Sequence, residues 1–182
     1  MKNILICNPK GGVGKSLIAD ELAFYLEHQN ITYNFYDLDN QGGTVHKNSK
    51  SDNALISVID TPGALQEQLA QWIKSAHLII VPTRTTSRDI EPLRRMIDII
   101  KINNSACPVI YVLNAFNRWR ASNDFFEWLS NQVQGNIIKL PQSELFVQAS
   151  AYNKSILDFA PRSKPALAVL ELGNLVCNIL QI

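Results

Sequence analysis

Two lysines five residues apart, Lys10 and Lys15, frame the stretch "NPKGGVGKS" (8–16), which directly follows the apolar run "NILIC" (3–7). Gly11, Gly12 and Gly14 let a backbone turn tightly and aim its N–H groups at a polyphosphate. Lys15 can reach the β- and γ-phosphates of a nucleotide, and the Ser16 hydroxyl can hold Mg²⁺. A helix reading "GKSLIADELAFYLEH" opens here and adds the positive end of its dipole. The loop residues expected to touch nucleotide therefore run through Gly11, Gly12, Val13, Gly14, Lys15, Ser16 and Leu17. The common pattern G-x-x-x-x-G-K-[ST] nevertheless fails, because Pro9 stands where its first glycine belongs. Lys10 is an additional cation that this pattern does not explain.

Acidic residues follow in order. "YDLDNQGG" (36–43) closes an apolar run with Asp37 and Asp39, spaced i, i+2 and so expected on one strand face. "ISVIDTPG" (56–63) ends another apolar run with Asp60. Phosphoryl transfer asks mainly for positioning and charge neutralisation, so one carboxylate near the in-line water suffices.

These segments need a scaffold that brings them to one edge. Strand-like runs lie at 3–7, 31–39, 54–60, 77–82, 108–114 and 136–140, several apolar nearly throughout, as in a parallel sheet covered on both faces. Helical patterns lie between and after them at roughly 15–29, 65–75, 87–102, 121–133 and 164–181. Such alternation predicts a doubly wound α/β fold, a mainly parallel sheet with helices on both faces, formed by residues 1–182 as a single domain. Ligands bind such folds at the carboxyl ends of the strands, where all three motifs fall.

K-G-G-x-G-K-[ST] resembles the deviant Walker A motif of the ParA/MinD family of P-loop ATPases, and the later motifs resemble that family in order and content. The resemblance implies ATP and Mg²⁺ as cofactors and catalytic roles for Lys10, Lys15 and Asp39. Lys10 would reach across an ATP-bridged homodimer to the phosphates held by the other subunit. Asp39 would orient the attacking water close to the metal, and Asp60, ending a Walker B strand, would hold Mg²⁺ with Ser16. Thr61, Pro62 and Gly63 would begin switch II. Asn114, ending "YVLN", would contact adenine, and Pro141, after "NIIKL", would pack on the base. Two departures stand out: Asn40 replaces a usual proline, and Leu17 replaces a second hydroxyl residue. Only twenty residues separate Asp39 from Asp60, a trimmed version of a segment that the family often makes longer.

The likeness is closest to short plasmid-partition ParA proteins without an N-terminal helix-turn-helix, for which a first strand at residue 3 leaves no room. It implies a slow ATPase stimulated by a centromere-binding adaptor, binding DNA non-specifically in the ATP state. A relative that positions a protein complex without DNA is the alternative. Charge bears weakly on this choice: residues 83–182 carry eleven Lys/Arg against eight Asp/Glu, and residues 1–82 six against eight. Arg88 and Arg95, seven apart on one predicted helix, and Arg118 and Arg120, flanking Trp119, are the DNA-contact candidates. Asp89, Glu91 and Asp98 lie close enough to neutralise the first pair.

Metabolic or redox enzymes on the same fold fit poorly. Cys7, Cys107 and Cys177 are too scattered for a cluster, and the trimmed loops leave little room for a second substrate. With no leader-like or membrane-length apolar run, a cytoplasmic protein is expected, associated with the nucleoid if it binds DNA. The tail from Ala166 to Ile182 has no Lys or Arg, so it lacks the basic face of a membrane-surface helix.

Overall fold

A computed structural model describes residues 1–39, 43–63 and 66–182, with the side chains of Gln66 and Glu67 left aside. Its frame is a parallel sheet of β1 (Lys2–Ile6), β2 (Tyr33–Asp37), β3 (Ile56–Asp60), β4 (Leu78–Thr83), β5 (Val109–Phe116) and β6 (Asn136–Pro141). The strand order is β2-β3-β1-β4-β5-β6. Strand alternation sorts the apolar side chains to two faces. Ile4, Ile6, Leu78, Ile80, Ile110 and Val112 join one core, while Leu5, Cys7, Ile79, Val81, Tyr111 and Leu113 join the other. The central strands β1, β3, β4 and β5 are largely buried on both sides, which is why they read as nearly unbroken apolar runs.

The first core is covered by α1 (Lys15–His28), α5 (Leu145–Ala151), α6 (Ile156–Phe159) and α7 (Lys164–Leu180), the second by α2 (Gln66–Ser75), α3 (Ser87–Asn104) and α4 (Arg120–Ser130). Ser163 caps α7 by accepting from the Ala166 N–H. Helices α5 and α6 are absent from the sequence expectation; they are seven and four residues long, too short for a periodic pattern to emerge.

Two features of the helices bear on the site. Glu21, buried on α1, accepts from Ser155 Oγ at 2.7 Å and from the Ile156 N–H, tying α6 to the helix that follows the phosphate loop. Burial pushes the Glu21 carboxyl up; its bonds to Ser155 and Ile156 act the other way. At Gly173 of α7, a Cβ would meet the Tyr25 ring at 2.4 Å, so α1 and α7 approach closely only because this residue lacks a side chain.

The chain leaves β1 for α1 and β2 on one side, then crosses back through α2 to β4 on the other side of β1. The loop after β1 therefore lies at the point where the winding reverses, the place such sheets reserve for ligands.

Candidate functional site

Asn8, 2% exposed, begins the loop after β1. Its amide donates to Pro82 O at 2.7 Å, bracing the loop on β4, and its Oδ1 accepts from the Lys10 N–H at 2.9 Å. Gly12 and Gly14 then take φ of 71° and 99°, the left-handed region that side chains disfavour. Gly14 also faces Asn114, whose Nδ2 would lie 2.1 Å from a Cβ there. That amide donates instead to Val13 O at 2.8 Å, so the residue expected at the base also clamps the phosphate loop. Lys15 is the first residue of α1 and is buried. Leu17 packs against the first core, away from any hydroxyl-like role.

Ser16 Oγ donates to Asp60 Oδ2 at 2.7 Å, joining the phosphate loop to the end of β3. Asp60 is fully buried, and its Oδ1 has no hydrogen-bond partner among the described residues. Burial raises this carboxyl from 3.8 to about 6; the Ser16 bond and the charge of Lys15 work downward, and Asp37 and Asp39 nearby push it further up. A buried carboxylate oxygen without a donor, beside a hydroxyl, suits a hard divalent cation. No cluster of three metal-ligating side chains exists among the described residues. Water and phosphate oxygens would therefore have to complete the shell of a cation held by Ser16 and Asp60, as Mg²⁺ accepts. Thr61 donates through both N–H and Oγ1 to Ile6 O, and a Cβ on Gly63 would approach Pro9 O at 3.1 Å. The start of the "DTPG" stretch thus packs on the phosphate loop.

Strand β2 ends at Asp37, so Asp39 stands beyond the pleat and the expected shared strand face does not extend to it. The pair is linked differently: Asp37 Oδ1 accepts from the Asp39 N–H at 2.9 Å, and Asp37 Oδ2 from Thr44 Oγ1 at 2.6 Å. Asn40 and the two residues after it lie outside the described residues. Pro141 is the last residue of β6, opposite Phe116, rather than part of the following loop. An edge strand tolerates its missing N–H.

Lys10 turns back onto α3. Its Nζ lies 2.5 Å from Asp89 Oδ1 and donates to Arg88 O at 3.3 Å. Asp89, in the first turn of α3, also accepts from Thr86 Oγ1. Pro92, within the same helix, has no N–H to bond the carbonyl four residues back, which is Arg88 O. Lys10 takes the acceptor that the proline leaves. Asp89 thus pairs with Lys10.

Arg88, Arg95, Arg118 and Arg120 are all exposed. Arg95 faces Glu91 at 3.3 Å and Arg120 faces Asp124 at 3.6 Å, both at helical spacing. Trp119 between the last two arginines is 71% exposed. A further guanidinium lies at the site: Arg84 Nε reaches Gly12 O at 3.4 Å.

Residues 4–156 match the model of the CobQ/CobB/MinD/ParA nucleotide binding domain. The chain belongs to this family. No curated protein matches the sequence. Among solved structures, an ATP complex of an McdA variant from Cyanothece is similar at TM-score 0.78 and 15% identity, covering 100% of this chain and 97% of its own. A putative plasmid partition protein from Borrelia burgdorferi B31 bound to AMPPNP gives 0.73 and 19%, covering 96% and 99%. The septum site-determining protein MinD from Pyrococcus horikoshii OT3, complexed with Mg-ADP, gives 0.72 and 13%, covering 96% and 95%. At these identities the likeness is one of fold.

Within this nucleotide-binding domain, residues of the family-like motifs converge on the carboxyl edge of the sheet, as do several that sequence reasoning missed. Asn8, Arg84 and Asp89 carry no pattern of their own. Asp20 left one trace: "ADEL" puts two carboxylates in a stretch of α1 that is otherwise apolar from Leu17 to Tyr25, and both are buried. Among the described residues, no helix is long and apolar enough to cross a membrane.

Proposed function

We propose that residues 1–182 act as one Mg²⁺-dependent ATPase domain, a switch that dimerises over ATP and serves DNA partition. The observation that carries this reading is the pairing of two lysines on one phosphate loop with the Ser16–Asp60 bond beneath it. Lys15 binds the phosphates of its own nucleotide. Lys10, a third exposed, leaves Asp89 to reach the partner's phosphates. Ser16 and Asp60 hold Mg²⁺, which neutralises phosphate charge. Asp39 orients the attacking water. Asn114 and Pro141 flank the base. Known structures of this fold with ATP, AMPPNP and Mg-ADP support the choice of ligand.

Arg88, Arg95, Arg118 and Arg120 are the DNA contacts of this reading, and a centromere-binding adaptor stimulates slow hydrolysis and release. Light scattering with ADP or a non-hydrolysable ATP analogue, with and without DNA, tests it. The analogue alone should give a dimer, Lys10→Ala should remove it, and DNA retention should fall steeply with salt. Analogue-driven dimerisation that survives Lys10→Ala would sink the mechanism.

A second reading, a switch that positions a protein complex without DNA, is favoured by one observation. A groove of about 680 Å³ beside Lys10 is lined by Ala70, Pro92, Ile99 and Ile102 together with Arg95, Asp98 and Asn103, and Ile102 is 80% exposed. A mixed apolar and charged lining with an exposed isoleucine at its wall suits a protein surface. Salt-insensitive, DNA-independent behaviour of the analogue-bound dimer would select it.

A further inference from the structure

Asp20 stands one helical turn beyond Ser16 on α1 and is 6% exposed. Its Oδ2 accepts from the Val45 N–H at 2.8 Å and its Oδ1 from the His46 N–H at 3.0 Å. The same Oδ1 lies 2.7 Å from His46 Nδ1. The His46 ring packs edge-on against Phe24, centroids 4.4 Å apart, and tilted on Phe35 at 5.3 Å. Its Nε2 lies 3.5 Å from Glu27 Oε1, which accepts from the Tyr33 hydroxyl at 2.7 Å. Among the described residues, the hydrogen bonds to this buried carboxylate thus come from one short segment of chain. A buried carboxylate is costly unless it is fully bonded, and an apolar residue would pack this helix face without that cost. What the carboxylate adds is the fixed position of residues 45 and 46.

That segment touches the site. Thr44 Oγ1 donates to Asp37 Oδ2, and Asp37 Oδ1 accepts from the Asp39 N–H. At Gly43 a Cβ would lie 2.9 Å from Ser16 Oγ. A continuous set of contacts runs from Asp20 through His46 and Thr44 to Asp37 and Asp39, alongside Ser16.

We propose that Asp20 and His46 are positioning residues for ATP hydrolysis: they pin residues 43–46 to α1 and so hold Asp37 and Asp39 beside the Ser16–Asp60 pair. The proposal rests on the ATPase reading above. It separates two functions of the site, since nucleotide is gripped by the phosphate loop while the hydrolytic geometry depends on this pin. Loss of the pin therefore affects turnover more than binding.

The test compares wild type with Asp20→Asn, His46→Phe and His46→Asn. Phenylalanine keeps the packing on Phe24 and Phe35 but removes both ring nitrogens; asparagine keeps a donor near the Nδ1 position and loses the ring. Three quantities are measured: Mg²⁺-ATP turnover, the dissociation constant of a fluorescent non-hydrolysable ATP analogue, and amide exchange at Val45 and His46. His46→Phe should lower kcat about ten- to hundredfold, the range a small misplacement can cause. Analogue affinity should stay within about twofold, the signature of a group acting after binding. His46→Asn should restore most of the turnover, and exchange at residues 45 and 46 should quicken in Asp20→Asn and His46→Phe.

Wild-type turnover in His46→Phe would overturn the proposal. So would a loss that tracks analogue affinity or melting temperature and that His46→Asn does not restore. A wild-type protein that binds analogue yet hydrolyses nothing would instead overturn the ATPase reading, and the positioning role with it.

Discussion

Lys10 is held within its own chain by Asp89, at 2.5 Å from Nζ to Oδ1, with Arg88 O as a second acceptor. If Lys10 must reach a second subunit, this contact competes with dimerisation. Asp89→Asn keeps the shape and removes the charge. It should lower the protein concentration needed for ATP-dependent dimerisation about tenfold, the scale of one hydrogen bond to a charged group. Pro92→Ala should act in the same direction but less strongly, by returning Arg88 O to the helix, while raising the melting temperature. Both are read from sedimentation in ATP analogue; an unchanged association curve for Asp89→Asn would show that the contact restrains nothing.

Asp60 should make the unliganded protein less stable as pH rises. Burial lifts its carboxyl from 3.8 to about 6, so the folded chain favours the protonated form. Below about pH 4 the group is protonated whether folded or unfolded and contributes no penalty. Between about pH 4 and 6 the folded chain progressively loses up to about 3 kcal/mol from this source. Asp60→Asn removes the penalty: denaturation at pH 7 should find the variant more stable than wild type, and at pH 4 nearly equal. Mg²⁺-nucleotide binding, which needs the ionised form, should release protons near pH 6, detectable by calorimetry in buffers of different ionisation enthalpy. A variant no more stable than wild type at pH 7 would refute the account.

The strands and the five longer helices were legible because burial on one or both faces leaves a periodic trace in "NILIC", "HLIIVP" or "PVIYVLN". The phosphate loop was legible because few residue types satisfy a tight turn around phosphate. Long-range polar contacts leave no such trace. Asp20 and His46 are twenty-six residues apart, and Lys10 and Asp89 seventy-nine. Asp89 reads in sequence as an N-terminal helix acid that neutralises Arg88. Only the fold brings Lys10 to it. Asp37 and Asp39 mislead for a related reason: the i, i+2 rule holds within a strand, and β2 ends between them.

The α1–α7 contact should be intolerant of a single methyl group. Gly173→Ala places a Cβ about where the Tyr25 ring lies, and the Tyr25 hydroxyl is itself fixed on Asn174 Oδ1 at 2.6 Å. The ring cannot swing away without breaking that bond. Overpacking of this kind costs about 1–3 kcal/mol, opposed by the small gain in helix propensity of alanine over glycine, about 1 kcal/mol. Thermal denaturation should therefore show a net loss of stability, whereas Gly173→Ala combined with Tyr25→Leu should recover part of it. A single variant as stable as wild type would mean that the two helices can separate at little cost.

Asn114 should matter to nucleotide binding even where it does not touch the base. Its amide donates to Val13 O and closes over Gly14, whose left-handed backbone sets the N–H groups of the loop. Asn114→Ala leaves the Val13 carbonyl without that donor and opens the space that now excludes a Cβ at Gly14. Losing one buried hydrogen bond costs about 1–3 kcal/mol, and here the part of it that loosens the loop should appear as weaker phosphate binding. A comparison of adenine and guanine nucleotides separates the two roles of the residue. If Asn114 only recognises adenine, the variant loses affinity for ATP and keeps its weaker affinity for GTP. If it also braces the loop, affinity for both falls by a similar factor, and inorganic triphosphate, which has no base, weakens as well. The geometry predicts the second pattern; unchanged triphosphate binding in Asn114→Ala would reject it.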